Sequence, residues 1–249
     1  MTYLRPEQWV HIALRCEGGV TTATLHTEGG PLIWNAQVHR ELVDFWTWLS
    51  FDEGTKVLIL TGSGDRYCTE IDAPSATKSW HELWWEMPRI IAGRINATVP
   101  VISVVNGPVS IHSEIPVLGD IVLATEDATF SDRAHVPRGF TPSDGVHIVW
   151  RHLLGPSRAS YFLLTASELT SQDGLRIGFV HEIHPREQIL GRARELAAQL
   201  AELPREMLAY TCTALRMVDK DDYTHAMSHG LALQGMQALA RIQSDSGAR

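Results

Sequence analysis

Three short runs of almost uninterrupted apolar residues constrain the fold of this chain more than any other feature. They cover residues 56–61, 101–106 and 121–124. Strands that are buried on both faces of a parallel sheet have this composition, whereas half-exposed strands alternate apolar and polar residues. Segments with helical spacing or helix-capping residues separate the runs. The sequence therefore predicts an α/β fold with crossover connections.

Further strands are predicted on either side of these runs. Residues 10–17 and 20–26 alternate around Gly18-Gly19, a pattern that is typical of a β-hairpin. Residues 62–78 are predicted to form a long polar loop. Short strands are also expected at residues 128–131 and 179–183.

Helices follow from apolar spacing and from capping residues. Capping boxes predict helix starts at Ser79 and Thr170, and residues 114–118 are expected to form a short helix. Other helices are predicted over residues 36–50, 146–154, 158–165, 185–202, 205–217 and 223–242. Because no linker-like change of composition interrupts the chain, we predict one functional domain, with a core of residues 1–184 and a helical region of residues 185–249.

Composition narrows the classes of function. The chain has 249 residues, 44% of them hydrophobic, and a formal net charge of −8 with no basic cluster, which disfavours nucleic acid and anionic membranes as partners. Three dispersed cysteines indicate neither a disulfide framework nor a zinc site. No signal peptide is recognised, and every apolar run is shorter than about 18 residues, so we expect a cytoplasmic protein without a membrane span.

Three familiar motifs are incomplete in this sequence. The turn Gly62-Ser63-Gly64 resembles the start of a dinucleotide fingerprint, but the third glycine is replaced by Tyr67. His181 and His184 are spaced differently from the pair of a zinc-binding helix. The chain also has no G-x-S-x-G nucleophile elbow. We therefore expect neither a metal nor an organic cofactor.

Two histidines and an aspartate occupy polar gaps in the most apolar third of the chain. They are His112, His135 and Asp144. Titratable side chains that follow buried strands face the crevice in which open α/β sheets bind ligands. Histidine acts as a general base when a carboxylate orients its ring and stabilises its cation, so Asp144 is a candidate partner for His135.

Each candidate also has a structural interpretation. Asp144 precedes a predicted helix and is a good N-cap, a role that leaves one carboxylate oxygen for another partner. His112 is equally consistent with a hydrogen-bonded histidine of the core. Trp34 is consistent with core packing, and His39 with the solvent-facing side of a helix. The tryptophans at positions 46, 48 and 80–85 are candidates for the wall of an apolar pocket or for core and subunit contacts.

Several segments in the correct order resemble the crotonase, or enoyl-CoA hydratase/isomerase, superfamily. They are Asn106-Gly107, Glu114-Ile115-Pro116-Val117, Gly119-Asp120-Ile121-Val122-Leu123-Ala124 and Ala128-Thr129-Phe130. The resemblance covers roughly residues 9–240. It implies a crotonase-like ββα spiral core with a C-terminal helical trimerisation region, and a homotrimer or a dimer of trimers.

Two turns depart from the pattern of thioester-binding crotonases. Those enzymes place a Gly-Gly-Gly run after the Asn-Gly strand, and one of its backbone N–H groups helps to form an oxyanion hole. This chain has Ser110-Ile111-His112-Ser113 there, and Thr69-Glu70-Ile71-Asp72 in place of the upstream Ala-Gly-x-Asp turn. Losing glycine at both turns changes the geometry that a thioester carbonyl requires, which disfavours a coenzyme A substrate.

One branch of the superfamily, 6-oxocamphor hydrolase and related β-diketone hydrolases, resembles this chain more closely. The matching segments are residues 106–117, 130–139 and 142–150, together with Trp34 and His39. The resemblance implies that His135 and Asp144 activate water, that His112 protonates the enolate carbon, and that Trp34 and His39 hold the carbonyls. Gln234 stands about where the camphor-type enzyme has glutamate, and glutamine positions a water without accepting its proton.

This branch implies a retro-Claisen hydrolysis of a cyclic or bicyclic β-diketone to a keto acid, without a cofactor. The substrate would be a small alicyclic diketone. Two alternatives stay open at this stage. One is a hydratase, isomerase or thioesterase that acts on acyl-CoA, and the other is a catalytically silent crotonase-like binding subunit.

Overall fold

The computed structural model describes residues 5–72 and 79–247. Its strands are β1 (Ile12–Glu17), β2 (Val20–Leu25), β3 (Leu32–Trp34), β4 (Val57–Gly62), β5 (Cys68–Ile71), β6 (Val101–Val105), β7 (Ile121–Thr125), β8 (Thr129–Phe130), β9 (Leu169–Thr170) and β10 (Glu182–His184). The main sheet has six strands in the order β1-β2-β4-β6-β7-β10. β1 and β2 form the predicted antiparallel hairpin, and every other neighbouring pair is parallel.

The helices alternate with the strands in the first half of the chain and dominate its end. They are α1 (Ala36–Phe51), α2 (Trp80–Asn96), α3 (Glu114–Val117), α4 (Val146–Leu154), α5 (Pro156–Thr165), α6 (Ser171–Ile177), α7 (Arg186–Ala201), α8 (Arg205–Leu215) and α9 (Met217–Gly247). Both predicted capping boxes are confirmed, because Ser79 and Glu82, and likewise Thr170 and Asp173, exchange hydrogen bonds at the starts of α2 and α6.

Three sequence-based boundaries are wrong. The predicted loop of residues 62–78 contains β5, which pairs with β3 in a separate two-stranded sheet; residues 73–78 lie outside the described chain. This pairing between short segments distant in sequence leaves no periodic signal. The last strand is Glu182–His184 rather than residues 179–183. The final helix begins at Met217, six residues earlier than predicted, because the charged segment before Tyr223 continues it.

The central strands are buried on both faces, as their composition predicts. Every residue of β4 and β6 is buried. On one face, Val57, Ile59 and Ile102 pack with residues of α7, and on the other Leu58 and Leu60 belong to the larger core cluster. α7 therefore covers the sheet directly. The division of the domain at residue 184 stays a prediction.

The chain segments that follow several strands meet on one side of the molecule. The loop after β6 carries His112, the loop after β8 carries His135, and β3 ends at Trp34. The first turn of α1 presents His39, and Asp144 lies just before α4. The topology therefore brings together residues that lie up to 110 positions apart in the sequence. Within the described chain, no helix is both long and apolar enough to cross a membrane.

Candidate active site

His135 lies between two buried aspartates, Asp132 and Asp144, and we call these three residues the clamp. Its Nδ1 lies 2.9 and 3.0 Å from the two carboxylate oxygens of Asp132, and its Nε2 lies 3.0 Å from Oδ2 of Asp144. All three side chains are buried. Both ring nitrogens therefore face carboxylate oxygens, which accept hydrogen bonds when ionised, and this arrangement favours the protonated ring. The predicted pairing of His135 with Asp144 is present in the structure.

The charges of the clamp reinforce one another. Burial alone would lower the pKa of His135, but the charge of Asp144 and the hydrogen bonds from both aspartates raise that pKa well above its ordinary value. Burial would raise the pKa of Asp144, but the charge and hydrogen bond of His135 hold it far below its usual range. His135 and Asp144 therefore stabilise each other's charged forms.

Local backbone geometry produces this clamp. The N–H of Ala134 donates to Oδ1 of Asp132 at 3.1 Å, a short turn that directs the carboxylate toward His135. A 3-10 turn, Val136–Arg138, follows His135 and closes at Gly139, which has a left-handed conformation. Nine residues after His135, immediately before α4, the chain brings Asp144 to the other side of the imidazole ring.

His112 has its own buried carboxylate. Its Nδ1 lies 2.8 Å from Oε1 of Glu114, a side chain that is fully buried. Burial favours the neutral ring, but the charge and hydrogen bond of Glu114 outweigh this effect, so the pKa of His112 is raised. A φ angle of 50° places His112 in the left-handed region, which is uncommon for a residue with a side chain. This unusual conformation is part of how the loop presents the ring to the site.

Trp34 and His39 complete a cluster of rings around His112. The centroids of the Trp34 and His112 rings are 4.0 Å apart, and that of His39 lies 4.8 Å from Trp34 and 5.6 Å from His112. The His135 ring lies 6.3 Å from His112. His39 is 5% exposed, so the interpretation of this residue as a solvent-facing helix position is wrong. Its side chain turns inward because α1 packs that face on the site.

Gln234 is placed on the face of α9 that covers the loop between His135 and Asp144. One turn before it, Gly230 packs so closely on Ser143 and His147 that a side chain would not fit. Three residues after it, Gln237 donates a hydrogen bond to the carbonyl of Gly139 at 2.9 Å. Gln234 is half-buried between these two contacts. Gln234 therefore lies beside the loop that joins His135 to Asp144, whereas the other five predicted residues lie at the centre of the site.

Sequence reasoning missed two carboxylates of the site. Asp132 and Glu114 lie within the segments that carry the family resemblance, but neither had been given a role. The available signal was proximity: each acid stands two or three residues from a candidate histidine. Spacing alone does not distinguish an acid that contacts the ring from one that points to solvent.

The pocket wall is not formed by the tryptophans of α1. Trp46 is buried against Phe45, with centroids 4.9 Å apart, and Trp48 packs edge-on against Trp9 at 5.9 Å. Both therefore belong to the core. Trp84 and Trp85 are 40% and 45% exposed on α2.

The loop before His112 uses its backbone donors internally. The N–H groups of Ser110 and Ile111 both donate to the carbonyl of Cys68, at 2.9 and 3.1 Å. These two groups are therefore not directed at a substrate oxygen. As for metals, the described residues contain no group of three or more His, Cys, Asp and Glu side chains arranged to hold an ion.

Comparison with known proteins places this geometry in a family. The model of the enoyl-CoA hydratase/isomerase family matches residues 19–238. The chain is 26% identical to a probable peroxisomal enoyl-CoA hydratase 1 of Arabidopsis thaliana, over 90% of this chain and 83% of that protein. It is 23% identical to a hydroxycinnamoyl-CoA hydratase-lyase of Pseudomonas fluorescens, over 88% and 85% of the two chains.

Solved structures give the same fold. A β-diketone hydrolase from the cyanobacterium Anabaena sp. PCC 7120, bound to (S)-3-oxocyclohexyl acetic acid, is 36% identical, with a TM-score of 0.90 over 93% of this chain and 95% of that one. An enoyl-CoA hydratase/isomerase from Mycobacterium paratuberculosis is 22% identical, with a TM-score of 0.82 and coverage of 92% and 93%. The expected resemblance to β-diketone hydrolases and the crotonase-like α/β fold are confirmed. The chain belongs to the enoyl-CoA hydratase/isomerase family.

Proposed function

We propose that this protein is a hydrolase that cleaves a carbon–carbon bond of cyclic or bicyclic β-diketones by a cofactor-independent retro-Claisen reaction. The observation that carries the proposal is the buried Asp132–His135–Asp144 clamp, placed beside the ring cluster of His112, Trp34 and His39. To these neighbouring groups we assign the roles of proton acceptor, proton donor and hydrogen-bond donors.

Water activation is assigned to the clamp. Oδ1 of Asp144 is buried and has no hydrogen-bond partner among the described residues, so it is available to a water molecule. As the water oxygen adds to one carbonyl carbon, its proton passes to the clamp. General-base assistance of this kind contributes about 10²–10⁴-fold to the rate.

Two groups are assigned to the oxygens of the diketone. Addition of hydroxide produces a tetrahedral oxyanion, to which we assign the indole N–H of Trp34 and the ring of His39, whose centroids lie 4.0 and 5.6 Å from that of His112. An oxyanion donor of this type is worth roughly 3–4 kcal/mol. Gln234 is assigned to the substrate-binding wall at the α9 side.

His112 is assigned to the final proton transfer. When the tetrahedral intermediate collapses, the bond to the carbon between the two carbonyls breaks and the electron pair forms an enolate with the second carbonyl. Protonation of that carbon gives the keto acid. Glu114 raises the pKa of His112, which favours the protonated ring that this role requires.

The comparisons support this proposal over the alternative that involves acyl-CoA. The 36%-identical solved structure is a β-diketone hydrolase bound to a ketone carboxylic acid, the class of product that the reaction yields. The relatives that act on coenzyme A esters are 23–28% identical. Ser110 and Ile111 also direct their N–H groups to Cys68 rather than to a substrate.

A substrate panel tests the proposal. We expect the purified protein to release acid from one or more cyclic or bicyclic 1,3-diketones, with the keto acid identified by NMR. Crotonyl-CoA and acetyl-CoA serve as parallel probes, the first for turnover and the second for a thermal shift. Hydration of crotonyl-CoA without cleavage of any diketone would favour the acyl-CoA function instead. Specific binding without turnover of either class would favour a binding subunit.

A further inference from the structure

Tyr223 on α9 has a buried hydroxyl group beside the clamp. Its side chain is 5% exposed, and the oxygen has no hydrogen-bond partner among the described residues. The hydroxyl packs against Cα of Gly145, the residue that follows Asp144, so closely that a Cβ there would overlap with it. A buried hydroxyl without a partner is unfavourable in a folded protein, so its presence calls for a ligand or a water.

Two acceptors near this hydroxyl also lack partners. Oδ1 of Asp144 and Oε2 of Glu114 are buried without hydrogen bonds within the described chain. Both carboxylates are close enough to Tyr223 for their charges to act on it, and together with burial they raise the pKa of the phenol well above its ordinary value. This raised pKa favours the protonated phenol, which is a hydrogen-bond donor.

A bound water molecule has the hydrogen-bonding groups that these three atoms lack. Water donates two hydrogen bonds and accepts two, whereas an ionised carboxylate only accepts. A water held here would donate to the two carboxylate oxygens, accept from the phenol, and keep one lone pair for an electrophile. Tyr223 also lines a surface cavity of about 1110 Å³.

We propose that the hydroxyl of Tyr223 holds the hydrolytic water beside Asp144 for its attack on the substrate carbonyl. This inference rests on the proposed function. In the step itself the water oxygen bonds to the carbonyl carbon, one water proton passes through Asp144 to the His135–Asp144 pair, and the phenol keeps its own proton. Tyr223 is thus a positioning residue, which holds the nucleophilic water and transfers no proton.

The test compares two tyrosine-to-phenylalanine variants. Tyr67 is the matched control, because its hydroxyl is likewise buried without a partner in the described chain but is not influenced by Glu114 or Asp144. We expect Y223F to lower kcat for the diketone by about tenfold or more, with KM changed less than twofold and Tm not lowered. We expect Y67F to leave kcat unchanged.

Three results would overturn the inference. The first is a kcat of Y223F within twofold of wild type. The second is a parallel fall of kcat and Tm in Y223F, which would indicate a structural role. The third is an equal loss of kcat in Y67F. Absence of diketone turnover by the wild-type protein is a separate outcome, since it overturns the proposed function and this inference with it.

Discussion

At the scale of single residues, the two aspartates of the clamp have different consequences for His135. Asp144 faces the side on which we place the reacting water, whereas Asp132 holds the opposite ring nitrogen through both of its oxygens. Asp132 is therefore a positioning residue for the imidazole. Its charge also contributes to the raised pKa of His135.

Asp132→Asn is expected to lower kcat by about 10²-fold or more, because asparagine removes the charge and one of the two acceptor oxygens that hold the ring of His135. The pKa of His135 should fall when that charge is removed. The pH limb of kcat that reports the clamp should therefore move to lower pH. A pH–rate profile and NMR titration of the ring measure both effects. An unchanged kcat with an unmoved limb would show that Asp132 has no part in the reaction.

The clamp also makes stability depend on pH. The pKa of His135 is higher in the folded protein than the ordinary value near 6.5 that holds after unfolding. Its contribution to the free energy of unfolding is therefore fully present below about pH 6.5 and is lost as the pH rises through the folded pKa. Urea unfolding of wild type and His135→Gln across this range measures the difference. A difference that stays constant with pH would contradict the assignment.

At the scale of elements, the start of α4 is the most constrained junction in the site. Gly145 has a φ of 122°, and its Cα is enclosed by Tyr223, Ile91 and Met227. Gly145→Ala should therefore cost about 1–3 kcal/mol of stability or more, from backbone strain and overlap together. Gly29→Ala is the matched control, because Gly29 has a φ of 83° but open space around it. Urea unfolding should show a larger loss for G145A, and equal losses would contradict the packing argument.

A second junction ties the C-terminal helices to the sheet. Arg216, between α8 and α9, and Arg94 on α2 both contact the carboxylate of Asp120, and Arg216 also donates to the carbonyls of Ala97 and Val99. Asp120→Asn leaves two buried guanidinium groups without their counter-charge, which should cost about 3–5 kcal/mol. Asp65→Asn breaks an exposed pair with Arg66 and should change the free energy of unfolding little. Similar values for the two variants would contradict this view of the junction.

Elements with a strong local signal could be predicted, and elements held by distant contacts could not. The apolar runs and capping boxes located β4, β6, α2 and α6. Burial on both faces of a strand and the capping of a helix end both depend on residues that are close together in the sequence. β3 and β5 were not predicted because they pair with each other across segments that are distant in sequence. Likewise the pairing of His135 with Asp144 was predicted from a nine-residue loop, while the inward turn of His39 depends on how α1 packs.

At the scale of the whole molecule, we propose that the chain assembles as a homotrimer or a dimer of trimers. Large apolar side chains on α5, α8 and the start of α9 are unusually exposed in the single chain: Tyr161, Leu164, Tyr210, Leu215 and Met217 are 64–73% exposed. Exposed apolar groups of this size favour burial between subunits. Sedimentation equilibrium should give three or six times the 27.7 kDa mass of the chain. A monomer at micromolar concentration would contradict the proposal.

The whole account depends on His135 as the centre of water activation, and one rate comparison tests it most directly. The kcat of wild type and of His135→Ala is measured by NMR detection of the keto acid from a bicyclic β-diketone, with circular dichroism to confirm that both are folded. We predict a loss of about 10³-fold or more in the folded variant. A folded His135→Ala variant that keeps the wild-type kcat would contradict the mechanism.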